Sequence, residues 1–257
     1  MRAAWYLLMV LLGLLLAGML TSCGGKSSAA SGPSAVFVLF DVSGSTSAPQ
    51  IRRLYFQDYL AIVNAMGDGD AIMGDVITDN TMATSTYPIH QTLPHYDMLR
   101  YSKLTFDEAL HKVEAQVRTE GEKLILHSNS TPSTDLMNAF QLADKIFNGE
   151  DWRASQNKRL VVFSDMVEQS HHYDFTVENL DDAHIQQIIA QERANGRLPN
   201  LHGVKVWVAG ATLEPTNGLP PAKIYQIQNF WLHYFKACGA DIDESRYATR
   251  LINFRLH

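Results

Sequence analysis

From residue 35 onward the chain alternates between short, continuously apolar runs and longer stretches whose apolar residues recur at helical spacing. Ala35-Val36-Phe37-Val38-Leu39-Phe40 is apolar at every position and rich in β-formers, the pattern of a strand covered on both faces. After Pro49, the stripe Ile51, Leu54, Tyr55, Ile62, Val63 and Met66 predicts a helix, with Gly67 as a left-handed stop. Ala71 to Thr78 reads as a strand. Thr81 to Ile89 reads as an edge strand turning back on it, with Pro88 near its end. Thr105-Phe106-Asp107-Glu108 has capping-box spacing and opens a helical face through Leu110, Val113 and Val117.

The second half continues the alternation. Leu136, Ala139, Phe140, Ala143, Ile146 and Phe147 form a helical stripe that ends at Gly149. Leu160 to Phe163 and Val204 to Ala209 read as buried strands, and Asp181 can cap a helix carrying Ile185, Ile188 and Ile189. In Ala222 to Ala237, the spacing of Phe230, Trp231, Tyr234 and Phe235 favours core packing over a ligand box. Leu251 to Leu256 reads as a last strand. Strands separated by helices require crossover connections. The expected fold is therefore α/β, a three-layer arrangement with a mainly parallel central sheet and helices on both faces. Residues 35–257 form one such domain, without internal repeat, and 79–103 is the stretch the pattern defines least.

The first 22 residues read differently. Arg2 precedes an apolar run, Leu7 to Met19, that is short for a membrane span and is followed by Leu20-Thr21-Ser22-Cys23. This tetrad resembles the lipobox of bacterial lipoproteins. The resemblance implies a signal peptide over 1–22, cleavage before Cys23, and fatty acylation of Cys23 as the membrane anchor. An uncleaved anchor helix is the alternative. Gly24, standing where Asp would mark inner-membrane retention, resembles the pattern sent to the outer membrane. Gly24 to Ser34 reads as a flexible tether behind the lipidated cysteine, so that 23–34 joins anchor to domain. The implied location is the bacterial cell envelope, on the periplasmic face.

Composition narrows the function classes. With 46% hydrophobic and 19% charged residues, the 257-residue chain can bury a substantial core and is neither disordered nor collagen-like. Its formal charge is -6, and no stretch gathers enough Lys and Arg to follow a phosphate backbone, so nucleic acid is not an expected partner. Two cysteines, Cys23 and Cys238, make no disulfide framework, and Cys238 reads as a buried small hydrophobe.

Candidate chemistry gathers where ligands of open α/β sheets sit, beyond the carboxyl ends of the strands. The first strand runs into Asp41-Val42-Ser43-Gly44-Ser45, and Leu160 to Phe163 runs into Ser164-Asp165. Ser130-Thr131-Pro132-Ser133-Thr134-Asp135 leads into a helix. Asp41, Ser43 and Ser45 alternate, so an extended turn would aim all three one way, with Gly44 allowing a tight backbone. The donors are all hard oxygens, which suits Mg²⁺, or Mn²⁺ in its place, better than zinc. A capped turn at the pentapeptide and a helix cap at Thr134 are the plain structural alternatives.

Asp-x-Ser-x-Ser after an apolar strand resembles the metal-ion-dependent adhesion site of von Willebrand factor type A domains. The resemblance covers Ala35 to about His257 and implies that family's Rossmann-like fold. It also implies a metal set of Asp41, Ser43, Ser45, Thr134 and Asp165, the last often acting through water. Thr131 is a rival for Thr134, because Ser133 stands where the family often has Gly. Met166 follows Asp165 where Gly is common. The implied function is metal-dependent protein–protein recognition, in which a partner's acidic side chain completes the coordination.

An enzyme reading finds less support in the sequence. The second Asp of phosphoryl-transfer hydrolases is replaced by Ser43, no Gly-x-Ser-x-Gly elbow frames either serine, and Gly67-Asp68-Gly69 precedes a strand rather than a helix. No catalytic residue is assigned. A metal-assisted phosphoester or ester hydrolase, or a scaffold with a non-functional metal site, are the alternatives. His171, His172 and Asp174, like Asp241, Asp243 and Glu244, read as polar loops. Tyr173 and Phe175, with the two histidines, could form a recognition rim beside the ion.

Overall fold

The computed structural model describes residues 32–211 and 218–256, so Cys23, the apolar run before it and most of the proposed tether lie outside the described residues. Six strands form one sheet: β1 (Ser34–Asp41), β2 (Ala71–Ile77), β3 (Ile89–Thr92), β4 (Asn157–Phe163), β5 (Val204–Ala209) and β6 (Tyr247–Ala248). The helices are α1 (Pro49–Ala65), the short α2 (Thr81–Thr84), α3 (Lys103–His127), α4 (Leu136–Phe147), α5 (Asp182–Ala194) and α6 (Pro221–Ala237). Strand order is β3-β2-β1-β4-β5-β6, parallel throughout except for β3. Among the described residues no helix is long and apolar enough to cross a membrane.

The continuous apolar run of β1 is explained by its two covers. Phe37 and Leu39 face a core built with α4, α5 and α6, whereas Val36, Val38 and Phe40 face one built with α1 and α3. Side chains alternate across a strand, so a strand buried on both faces must be apolar at both parities. The α1–α3 contact is close enough to require Gly121, where an added Cβ would lie 2.0 Å from the Tyr59 ring. Phe230, Trp231, Tyr234 and Phe235 of α6 are all buried in the other layer, as their spacing predicts.

Several boundaries differ from the sequence reading. Thr81 to Ile89 is not a strand; Thr81–Thr84 is helical and the edge strand starts after Pro88. The physical reason is Asp75, whose carboxylate accepts from Ser85 Oγ at 2.6 Å and from the amides of Thr86 and Tyr87, holding this stretch as a loop. The cap of α3 is Ser102, which accepts from the Thr105 amide at 3.2 Å, one turn before the expected box. Helix α1 ends with Met66 in an extended conformation, and the left-handed glycine is Gly69 rather than Gly67. The last strand is only Tyr247–Ala248. Leu251 to Leu256 runs irregularly, its carbonyls taken up by the Arg159 guanidinium instead of a neighbouring strand.

Register places the chemistry. Phe40 pairs with Phe163 across adjacent parallel strands, so Asp41 and Ser164-Asp165 emerge side by side. The strand order reverses between β1 and β4, and such a switch point opens a crevice at the strands' carboxyl ends.

Candidate metal centre

Asp41 is buried, 1% exposed, at the end of β1. Its Oδ1 accepts from the Ser43 amide at 2.9 Å, from Thr46 Oγ1 at 3.4 Å and from Thr134 Oγ1 at 3.5 Å. Its Oδ2 accepts from Ser164 Oγ at 2.7 Å. Three separate stretches of chain therefore meet at one carboxylate. Burial pushes the Asp41 carboxyl above the usual range, and hydrogen bonds from Ser164, Ser43 and Thr46 oppose that rise.

The pentapeptide does not extend through Ser45. Ser43 forms a single bridge to Thr131, and Gly44–Thr46 then closes a 3₁₀ turn. The hydroxyls of Ser43 and Ser45 nevertheless meet at 3.1 Å. Gly44 lies outside the left-handed region and a Cβ there would touch nothing, so the turn does not depend on glycine.

Thr134 and Thr131 take different roles. Thr131 turns its hydroxyl onto the Ser133 carbonyl at 3.0 Å, while Thr134 turns its own toward Asp41. The helix cap is Asp135, which accepts from the Asn138 amide, so Thr134 is not spent as a cap. Paired backbone hydrogen bonds between Thr134 and Gln169 fasten this loop to the one leaving β4.

On that second loop Asp165 Oδ1 accepts from the Val167 amide at 3.1 Å. Met166 is fully buried with φ 64, a left-handed conformation costly for a side chain of its size. Its carbonyl accepts from Trp231 Nε1 at 2.7 Å, which ties the loop to α6. Below, the buried Tyr55 phenol is pushed well above its usual range by burial and by the charges of Asp41 and Asp165. Gly210, at φ 103, is required here because an added Cβ would lie 2.5 Å from Tyr55 Oη and 2.9 Å from the Ser164 carbonyl.

The structure thus brings Asp41, Ser43, Ser45 and Thr134 together, with Asp165 on the adjacent strand end. Among the described residues no three His, Cys, Asp or Glu side chains gather as a metal group. A cation here would depend on hydroxyls joining two carboxylates. Hard oxygen donors of this kind fit Mg²⁺ or Mn²⁺, and a bound divalent ion would supply positive charge to Asp41 and an open position for a ligand oxygen. Sequence reasoning missed Ser164 and Thr46 as supports of Asp41, although both flank quoted motif residues. It also missed Glu168, whose Oε2 accepts from the first amides of α4, Leu136 at 2.8 Å and Met137 at 3.4 Å.

The other sequence candidates fall elsewhere. Phe175 is core, packed on Phe230 and Trp231, so it is not part of a rim; Tyr173 is half-buried and His171 and His172 are exposed. Asp241 and Asp243 are held by Arg246. Cys238 is buried and free, and burial pushes its thiol up.

No family model matches the chain, and no curated protein matches it. Solved structures do. A von Willebrand factor type A protein from Catenulispora acidiphila is 13% identical, with 82% of this chain and 44% of that one covered and a TM-score of 0.42. Proximal thread matrix protein 1 from the mussel byssus, with a zinc-occupied MIDAS motif, is 12% identical over 86% of this chain and 42% of its own, TM-score 0.43. The manganese-loaded TRAP protein of Plasmodium vivax is 12% identical over 82% and 74%, TM-score 0.40. The chain spans less than half the length of the first of these. Similarities this low bear no weight, and the fold rests on strand order and register.

Proposed function

We propose that this chain is a lipid-anchored envelope protein whose α/β domain, of von Willebrand type A kind, recognises a partner protein through a divalent cation. Asp41, Ser43, Ser45, Thr134 and Asp165 would hold Mg²⁺, or Mn²⁺, and an acidic side chain of the partner would fill the open position. Cys23 would carry the lipid, with the domain on the periplasmic face and the outer membrane as the destination.

The observation that carries this reading is Asp41. It is a buried carboxylate at the switch point of the sheet, surrounded by an amide and hydroxyls, and no Lys or Arg forms an ion pair with it among the described residues. Proteins pair buried charges or bind metals with them. Calorimetry with Mg²⁺ and Mn²⁺ tests it: Asp41→Ala is expected to weaken binding by more than about a hundredfold, beyond the loss typical of supporting residues. Equal affinity in the two proteins would sink the metal assignment. Capture of a partner from envelope extract that chelator abolishes would support recognition, whereas capture unaffected by chelator would favour a scaffold.

A further inference from the structure

Among the described residues, five of the eight large exposed apolar side chains fall between Tyr87 and Leu104. Leu99 is 97% exposed, Met98 82% and Leu104 69%. Monomeric domains seldom leave such a concentration in water without a use for it. The stretch is ordered rather than loose: Tyr96 and Tyr101 both pack edge-on against Phe106, and the Asp68 carboxylate accepts from the Tyr96 amide at 2.7 Å. Its charges are Arg100, Lys103 and Asp97, with Arg100 81% exposed and only 3.5 Å from Asp97.

Its place in the fold is informative. Strand β3 runs antiparallel to β2 and ends at the start of that strand, Thr92 facing Ala71. Helix α3 begins at Lys103 and rises 25 residues, roughly 37 Å at 1.5 Å each, to Ser128, whose carbonyl accepts from Arg52 beside the metal loops. The apolar stretch therefore occupies the end of the sheet opposite the candidate metal centre. Pro33, through which the chain enters β1, is at that same end: the position of a Cβ on Gly69 is 3.1 Å from Pro33 and 3.6 Å from His95. Eight residues lie between Cys23 and Gly32, nine peptide steps in all. Whatever their conformation, they span at most about 30 Å.

We infer that the segment Tyr96 to Leu104 docks on the membrane surface, with Met98, Leu99 and Leu104 entering the headgroup–acyl boundary. The tyrosines would sit at headgroup level, and Arg100 and Lys103 would face anionic lipid, a division of labour usual at bilayer interfaces. Asp151, which lies near Pro33 at this end, opposes anionic lipid, so apolar insertion rather than charge is the main attraction. The inference rests on the anchoring at Cys23 proposed above. Its consequence is orientation: the candidate metal centre would point away from the bilayer, toward a partner.

The test uses the full chain on vesicles of phosphatidylethanolamine and phosphatidylglycerol, spin-labelled through Leu99→Cys or, in a second protein, through Val177→Cys. Cys238 is buried and takes no label, and Val177 is 78% exposed on the loop that follows Asp165. The Leu99 label is expected to lose most of its collisions with a water-soluble nickel reagent while keeping those with oxygen, and the Val177 label to keep both. Two labels equally open to nickel, on protein that floats with the vesicles, would overturn docking but leave the anchor standing. Shielding of the Leu99 label from both reagents would overturn it in favour of a protein partner or a second copy. Protein that does not float would remove the anchor and the docking together.

Discussion

Glu192 and Asp41 are both buried carboxylates, yet their surroundings are built from different materials. Glu192, on α5, receives Arg197 Nε at 3.0 Å, Arg197 Nη2 at 2.6 Å and the Tyr173 hydroxyl at 2.8 Å. Burial alone would raise its carboxyl, but these donors outweigh burial and hold it below the usual range. Asp41 is given an amide and neutral hydroxyls, and burial prevails. Asp58 is also met by an arginine, Arg250 at 2.7 Å. At Glu192 and Asp58, an acid that joins elements is given an arginine. At the switch point of the sheet the fold supplies hydroxyls, whose oxygens can also turn lone pairs to a cation.

The comparison breaks most visibly at Arg197. Arg197→Ala leaves Glu192 buried beside a phenol alone, and removing one partner of a buried pair costs about 3–5 kcal/mol. Since Arg197 is itself about one-third exposed, the expected loss is near the lower end, about 3 kcal/mol. Denaturant midpoints would show it, and a loss indistinguishable from an exposed surface substitution would mean that the arginine does not stabilise Glu192.

Glu168 sharpens the contrast at the next size of effect. It is fully buried, touches the first amides of α4, and burial pushes its carboxyl up to about 8 from an ordinary 4.5. The folded protein therefore holds a proton at neutral pH that the unfolded chain has released. Its favourable contribution is complete below about pH 4.5 and is lost as pH rises toward 8. One proton sets a ceiling of about 1.4 kcal/mol per pH unit, so wild type should lose about 1–2 kcal/mol more than Glu168→Gln between pH 6 and pH 8. Parallel stability profiles for the two proteins in chelator would show that the carboxyl is already ionised in the native state.

What the sequence disclosed follows the strength of each physical signal. Strands β1, β4 and β5 were legible because two-sided burial forces an unbroken apolar run. Strand β3 was displaced because its boundary is drawn by Asp75, which gathers a loop ten and more residues downstream. Strand β6 was missed because two residues carry no period. At the candidate site, Asp41 and Asp165 were found from their position after apolar runs. Glu168 and Tyr55 were not, since a lone acid or phenol in a helix or loop has no spacing to announce it. Met166 shows the reverse: the sequence marked it as an unexpected residue, and the structure shows the left-handed backbone that glycine would accept without strain.

The smallest expected effect separates the two kinds of acid by sign. Asp41→Asn keeps the size of the side chain and removes a charge that no arginine pairs with directly, Arg52 acting on it only at longer range. In chelator, burial no longer opposes the group, although one acceptor of the hydroxyl donors becomes an amide donor. The two changes partly cancel, and a gain of about 1 kcal/mol or less is expected, because neutralising a buried charge without a direct ion pair is neutral to stabilising. With Mg²⁺ at a hundred times its dissociation constant, wild type should gain about 2.7 kcal/mol and the variant nothing, which reverses their order. Melting curves of both proteins with and without Mg²⁺ contain the whole comparison. If Asp41→Asn were destabilised in chelator as strongly as Arg197→Ala, Asp41 would be a structural acid like Glu192, and its neutral surroundings would owe nothing to a cation.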